Sequence, residues 1–282
     1  MTTKIGVLGV GAIGGIIGGY LARSGKEVTL IDTWPENIER IKSVGLKVTA
    51  VEEEFTTRPN ALHLGEVSSV HPKFDVLILS VKSDDTSWAS KFIKPYLAPG
   101  GFIASAQNSI NEFKIAEEVG WPRVIGCIVT LGAGMYAPGN PKRTSSASKP
   151  ALALGEPSGM ITPRLESITN DMSCIGITKT TTNLWGERWA KLAANCMVNC
   201  LAAISGLTSF GLRKDLLTGT IGIELAAEVI QVATAFGVSV ENINGQNPID
   251  YLNAVKNPDN MMTLRENLIE HGKTLGEGRP SL

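Results

Sequence analysis

The chain up to Thr182 alternates short apolar runs with longer amphipathic stretches. The apolar runs have the length and the uninterrupted hydrophobic character of strands that are buried on both faces. The predicted strands cover residues 4–8, 27–32, 75–81, 101–106, 124–129, 151–154 and 175–179. Helices are predicted between them, and the clearest cover residues 15–24, 34–44 and 163–172. Strands and helices that alternate in this way are typical of an α/β fold whose parallel sheet is covered by helices on both faces.

The pattern changes after Thr182, where strand-like runs give way to helical periodicity. Long helices are predicted over 185–204 and 212–236, with one or two more over 250–275. Before this point, the segment 132–150 is rich in Gly, Pro, Ser and Lys and is predicted to be a long loop. We therefore expect two domains, an α/β domain over residues 1–182 and an all-helical domain over residues 183–282.

A glycine-rich turn joins the first predicted strand to the first predicted helix. Its residues are Gly9, Val10, Gly11, Ala12, Ile13 and Gly14. In a Rossmann-type fold the first glycine allows the tight turn, the second lets the backbone approach a pyrophosphate, and the third lets helix and strand pack closely. The diphosphate would then contact the free N–H groups at the start of the helix. The pattern predicts a Rossmann-type dinucleotide-binding domain, against the alternative of a glycine-rich turn that binds no ligand.

Asp32 closes the second predicted strand and bears on which dinucleotide binds. A carboxylate at this position accepts hydrogen bonds from the adenosine ribose hydroxyls and repels a 2′-phosphate. Thr33 and Trp34 follow it, rather than an arginine that could pair with that phosphate. NAD is therefore favoured over NADP, while the alternative for Asp32 is a solvated residue that caps the following turn.

A polar stripe runs along the first long helix of the second domain. Glu187, Lys191, Asn195 and Asn199 are spaced four residues apart, so they share one helix face beside an apolar surface. A bound polar substrate would satisfy the two amides, and partial desolvation would lower the pKa of the lysine and suit it to proton donation. The alternative is a solvated face carrying a surface ion pair between Glu187 and Lys191.

Two polar residues follow predicted strands of the first domain. Lys82 comes after Ser80 and Val81, and Asn108 comes directly after Gln107. Ligands of open parallel sheets bind at the carboxyl ends of the strands, so both side chains are expected to face the nicotinamide half of the cofactor. Each of them could equally be a loop residue that contacts no ligand.

Composition and charge remove several classes of protein. The formal charge is −1, from 26 Lys+Arg and 27 Asp+Glu, so there is no basic excess to attract nucleic acid. Four scattered cysteines and three histidines favour neither a disulfide framework nor a metal site, and they suit the cytoplasm. Residues 5–22 carry no charge, but 7 of those 18 residues are glycine, which favours a strand, turn and helix over a membrane span.

On these residues the chain resembles the ketopantoate reductase family (2-dehydropantoate 2-reductase) over nearly its whole length. The resemblance rests on the glycine turn, on Ser80-Val81-Lys82, on Gln107-Asn108 and above all on the segment 189–199. It implies a Rossmann-type parallel sheet domain followed by an all-helical domain, and reduction of a small 2-keto acid by a nicotinamide cofactor. A homodimer is compatible with it.

The resemblance also implies roles for individual residues. Lys191 would be the general acid, Asn195 and Asn199 would hold the substrate's hydroxyl and carboxylate ends, and Asn108 would contact both cofactor and substrate. It further implies that Ala133 contacts the cofactor and that Ser281 binds the substrate carboxylate.

Three departures from the family pattern qualify these expectations. Thr33 stands where family members that prefer NADPH carry an arginine, and Ser109 stands where a glycine usually follows the Gln-Asn pair. The sequence ends at Leu282, where the family continues into a helix bearing a glutamate, so the helical domain is expected to be incomplete at its C-terminus. The alternatives left open are an NAD-dependent D-2-hydroxyacid dehydrogenase on the same scaffold and a non-catalytic dinucleotide-binding protein.

Overall fold

The computed structural model describes residues 3–274. These residues fall into two compact units that divide between Leu184 and Trp185. In the N-terminal unit the strands are β1 (Lys4–Leu8), β2 (Glu27–Asp32), β3 (Leu46–Thr49), β4 (Glu54–Thr57), β5 (Asn60–His63), β6 (Phe74–Leu79), β7 (Leu97–Ser105), β8 (Val124–Val129), β9 (Ala133–Met135), β10 (Pro141–Arg143), β11 (Pro150–Gly155) and β12 (Ile177–Thr180). Its helices are α1 (Ala12–Arg23), α2 (Pro35–Val44), α3 (Val67–Val70), α4 (Thr86–Ile93), α5 (Glu112–Val119) and α6 (Pro163–Met172).

The main sheet of this unit has eight strands in the order β12-β11-β8-β7-β6-β1-β2-β5. Its two faces are buried under separate apolar clusters. Val76 and Ile78 belong to one cluster, whereas Leu77 and Leu79 belong to the other. Alternate residues of a strand point to opposite faces, so helices and loops cover the sheet on both sides. The α/β fold expected for this part of the chain is confirmed.

The predicted parallel sheet is present, and it contains one antiparallel pair near its edge. The six strands from β8 to β5 pair in parallel, but β11 pairs with β8 antiparallel, and β12 then runs parallel to β11. The connection from β8 to β11 contains only short strands and no crossover helix. Without such a crossover the chain returns in the opposite direction.

A second sheet of four strands, in the order β4-β3-β10-β9, was not predicted. The segment 132–150 was expected to be a loop, yet it supplies both β9 and β10. Each of these strands has only three residues, too few to show an alternating pattern. Tyr20 of α1 holds this sheet by donating to Glu53 Oε1 at 2.8 Å, and burial beside that carboxylate raises the pKa of Tyr20 to about 12.

The C-terminal unit is helical over its described residues. Its helices are α7 (Leu184–Ser205), α8 (Ser209–Lys214), α9 (Leu216–Ala235), α10 (Pro248–Ala254) and α11 (Pro258–Thr274). The single helix predicted over 212–236 is divided, because Asp215 has extended backbone angles and its side chain accepts the N–H of Thr218. A new helix therefore begins directly after Asp215.

Residues 5–22, whose lack of charge raised the question of a membrane span, form β1 and most of α1, and both elements are buried. By length and composition α9 is the one helix within residues 3–274 that could cross a bilayer. Ile223, Ala226 and Ile230 of α9 pack into the apolar core of the C-terminal unit.

Candidate active site

The glycine turn between β1 and α1 has a backbone that requires glycine at two positions. Gly9 has φ +94°, and a Cβ there would lie 2.8 Å from the backbone nitrogen of Val81. A Cβ at Gly14 would collide with the carbonyl oxygen of Gly9. A side chain at either position would therefore force α1 away from the ends of β1 and β6.

Gly11 differs from these two glycines, because the space in front of it is open. It is the N-cap residue of α1, it is exposed, and no described atom lies within 4 Å of the position of a Cβ. Among residues 3–274 no side chain caps the N-terminus of α1. A helix start with free N–H groups and open space before it suits a diphosphate, so the turn fits a dinucleotide.

The Asp32 carboxylate lies beside this turn, at the end of β2. Its Oδ2 accepts the N–H of Val10 at 2.6 Å, and its Oδ1 accepts the N–H of Trp34 at 3.1 Å. A carboxylate offers about four acceptor positions, so two remain for the hydroxyls of a ribose. Asp32 thus both supports the turn and keeps acceptors available for a nucleoside.

Ser80 and Asn37 support the glycine turn through hydrogen bonds to its backbone carbonyls. The sequence analysis assigned neither residue this role. Ser80 Oγ donates to the carbonyl oxygen of Gly9 at 2.7 Å. Asn37 Nδ2 donates to the carbonyl oxygen of Val10 at 2.9 Å, and Asn37 is fully buried. Asn37 carried a detectable signal, because it is a polar residue one turn before Ile41 on the apolar face of α2.

The structure brings the segments of Lys82 and Asn108 together at the carboxyl ends of β6 and β7. Asn111 Nδ2 donates to Ser83 Oγ at 3.0 Å and to the carbonyl oxygen of Asn108 at 2.8 Å. The side chains of Lys82 and Asn108 are both exposed at this edge. They are placed where a ligand of an open sheet binds.

Ser109 and Ala133 are the remaining residues of interest in the N-terminal unit. Ser109 has φ +68°, which lies in the left-handed region that favours glycine. Ala133 begins β9, pairs with Arg143 and packs partly buried against the core.

The polar stripe of the C-terminal unit lies on α7. Lys191 and Asn195 are half-buried on this helix, whereas Asn199 is exposed. Burial lowers the pKa of the Lys191 ammonium group. Within residues 3–274 the Lys191 side chain has no hydrogen bond or ion pair to offset that desolvation. The proposed carboxylate ligand Ser281 lies outside the described residues.

The glycine turn, the acid at the end of β2 and the helical unit define a Rossmann-type dinucleotide-binding protein. The family model for ketopantoate reductase PanE/ApbA matches residues 5–158, and the model for its C-terminal part matches residues 183–277. The chain belongs to the ketopantoate reductase family of oxidoreductases, whose members bind a nicotinamide dinucleotide.

One curated relative agrees with this family assignment, and two solved structures share the fold. The chain is 31% identical to the 2-dehydropantoate 2-reductase of Pyrococcus abyssi over 245 residues. The aligned region covers 84% of this chain and 76% of that protein. The structure of 2-dehydropantoate 2-reductase from Geobacter metallireducens shares the fold with a TM-score of 0.80, at 24% identity and over 99% and 85% of the two chains. The structure of D-mandelate dehydrogenase with NADH and anilino(oxo)acetate also shares the fold, with a TM-score of 0.75 at 22% identity. That match covers 85% of this chain and 76% of the dehydrogenase chain.

Proposed function

We propose that the protein is a 2-dehydropantoate 2-reductase that reduces the keto group of ketopantoate to the alcohol of pantoate. The observation that carries the proposal is the half-buried Lys191, spaced four and eight residues from Asn195 and Asn199 on α7. A cation with a lowered pKa on the same helix face as two amides suits a substrate that combines a carbonyl, a hydroxyl and a carboxylate.

The N-terminal unit would hold the dinucleotide. The free N–H groups at the start of α1 would bind the diphosphate, and Asp32 would accept hydrogen bonds from the adenosine ribose. Lys82, Asn108 and Ala133 would contact the nicotinamide half. When bound, the reduced cofactor supplies a hydride to the keto carbon.

Lys191 would supply the proton that completes the reduction. As negative charge develops on the carbonyl oxygen, the ammonium group donates one proton to it, and the product is an alcohol. The amine is left neutral, the form that burial favours, and takes up a proton from solvent before the next turnover. Asn195 and Asn199 would orient the hydroxyl and carboxylate ends of the substrate, and Ser281 is proposed as a further carboxylate ligand.

NADH is the proposed reductant, and NADPH the alternative. Asp32 would repel a 2′-phosphate, and neither Thr33 nor Trp34 offers a cation to bind it. The same argument supports a second candidate, an NAD-dependent D-2-hydroxyacid dehydrogenase, since D-mandelate dehydrogenase with NADH shares the fold.

The proposed function also implies a partner, a cellular compartment and an assembly state for the enzyme. Its partner would be a free small-molecule keto acid in the cytoplasm, and the near-zero formal charge supports this over a nucleic-acid partner. A homodimer is the proposed assembly, and light scattering at assay concentration tests it directly.

Initial rates of NADH and NADPH oxidation with ketopantoate and with branched and aromatic 2-keto acids test the proposal. Turnover of ketopantoate with a preference for NADH is the expected result. Turnover of the other keto acids alone would favour the dehydrogenase. Dinucleotide binding without any turnover would favour a non-catalytic protein.

A further inference from the structure

Asn37 controls the orientation of one peptide group in the glycine turn. The carbonyl of Val10 and the N–H of Gly11 belong to the same planar, trans peptide, so they point in opposite directions. Asn37 Nδ2 holds that carbonyl at 2.9 Å from behind the turn. The N–H of Gly11 is thereby directed to the opposite side, at the start of α1.

The preceding peptide is fixed in the same manner by two other side chains. Ser80 Oγ donates to the carbonyl of Gly9 at 2.7 Å, and the N–H of Val10 donates to Asp32 Oδ2 at 2.6 Å. The orientations of the Gly9–Val10 and Val10–Gly11 peptides are therefore fixed by side chains at the end of β2, on α2 and directly after β6.

The Val10–Gly11 peptide needs such a support more than most. Glycine adopts positive and negative φ with similar ease, so a peptide before glycine can flip at little conformational cost. A flipped peptide would present the carbonyl oxygen of Val10 to the diphosphate in place of the N–H of Gly11. Two negative groups would then face each other.

The support itself is rigid. Asn37 is fully buried, and its Oδ1 accepts the N–H of Gly139 at 2.7 Å, which fixes which end of the amide donates to Val10. The carbonyl of Gly139 in turn accepts the N–H of Lys47 at 2.8 Å, so the segment behind Asn37 is tied to β3.

We propose that Asn37 is a positioning residue for the dinucleotide, which keeps the N–H of Gly11 directed at the diphosphate. The inference rests on the proposed dinucleotide binding and adds a specific requirement to it. Asn37 acts through the backbone and contacts neither substrate nor the reacting atoms.

The variant Asn37→Asp separates the two hydrogen bonds of the amide. Its carboxylate still accepts the N–H of Gly139 but repels the carbonyl of Val10 instead of donating to it. NADH binding, followed by fluorescence titration, should weaken about tenfold or more, the usual consequence of losing one hydrogen bond of this kind. Turnover at saturating NADH should stay within about twofold of wild type, since no reacting group has changed.

Acidification of the same variant gives a second readout. A protonated carboxyl carries an O–H that can donate to the carbonyl of Val10, so the affinity of N37D for NADH should recover towards wild type as pH falls. The neighbouring ionisable groups, Asp32 beside the turn and Arg40 against Gly139, are common to both proteins, so the ratio of the two affinities isolates the new carboxyl.

Ile38→Val and Ile38→Ala are matched controls, because Ile38 is the next buried residue of α2 and belongs to the apolar core. They lower stability without touching the turn and should leave the Kd for NADH within about twofold. The inference is overturned if N37D binds NADH as wild type does. It is equally overturned if the Ile38 variants weaken NADH binding as much at the same loss of melting temperature. In both cases the reductase proposal stands, whereas a wild-type protein that binds neither NADH nor NADPH would remove both.

Discussion

Burial lowers the pKa of the Lys191 ammonium group, so this lysine gives up its proton more readily than one in water. Replacement by alanine removes the proposed proton donor and leaves the glycine turn unchanged. We expect Lys191→Ala to lower kcat by about 10²–10⁴-fold, the usual contribution of general acid catalysis, with little change in the Kd for NADH. Lys256→Ala, at an exposed lysine of the same unit, is the matched control. Equal turnover in Lys191→Ala and wild type would refute the assignment.

The same group sets the expected pH dependence. Reduction requires the protonated amine, so kcat/KM for the keto acid should be high below the pKa of Lys191 and fall as pH rises through it. Because burial lowers this pKa, the fall should begin below the value of about 10.4 that is usual for lysine. Oxidation of the alcohol requires the neutral amine and should show the opposite trend. A rate profile measured from pH 6 to pH 10 in both directions checks the sign, and parallel profiles would contradict it.

Ser109 makes a backbone prediction that concerns stability. Its φ of +68° costs a residue with a Cβ about 1–2 kcal/mol, and glycine would recover part of this after its own loss of entropy. Ser109→Gly should therefore raise the free energy of unfolding by roughly 0.5–1 kcal/mol. Thermal unfolding of the variant, compared with Ser109→Ala, measures the difference. A lower melting temperature for Ser109→Gly than for Ser109→Ala would contradict the argument.

The division between α8 and α9 depends on one side chain. Asp215 accepts the N–H of Thr218, and this hydrogen bond lowers the pKa of its carboxyl. Asp215→Ala should lower the melting temperature by a few degrees, whereas Asp215→Asn, which retains an acceptor, should lower it less. Because the folded pKa is lowered, the stabilisation from Asp215 is present at neutral pH and is lost as pH falls through the folded pKa. The difference between wild type and Asp215→Ala should accordingly shrink in acid.

Elements whose signal is local could be predicted from the sequence. The strands β1, β2 and β8 lie at the predicted residues because most residues of each strand are apolar and buried. The strands β9 and β10 were missed, because three residues show no period and their pairing is set by tertiary contacts. The antiparallel pairing of β11 with β8 could not be predicted either, because an apolar run does not indicate the direction of the neighbouring strand.

In the candidate site, too, residues with a local sequence signal could be predicted and residues that act through distant contacts could not. The glycine turn and Asp32 follow a spacing that the sequence displays, and the structure joins them by a hydrogen bond from the N–H of Val10 to the Asp32 carboxylate. Asn37 and Ser80 act through hydrogen bonds to residues 27 and 71 positions away, which no local pattern reveals. For Asn37 the sequence offers one indication, a polar residue on the apolar face of α2.

At the scale of the whole molecule the proposed chemistry is shared between two units, each with an apolar core of its own. The first unit offers a helix start and a carboxylate suited to a dinucleotide, and the second offers a lysine and two amides suited to a keto acid. The protein is therefore proposed to be a reductase in which a nicotinamide cofactor bound to the first unit supplies a hydride to the keto carbon of ketopantoate.

Transfer from labelled cofactor tests this claim most directly. The protein is incubated with ketopantoate and NADH that carries deuterium at both C4 positions, and the product is analysed by mass spectrometry and NMR. We predict pantoate that contains one deuterium, located on the hydroxyl-bearing carbon. Unchanged ketopantoate, or oxidation of NADH without labelled pantoate, would contradict the account.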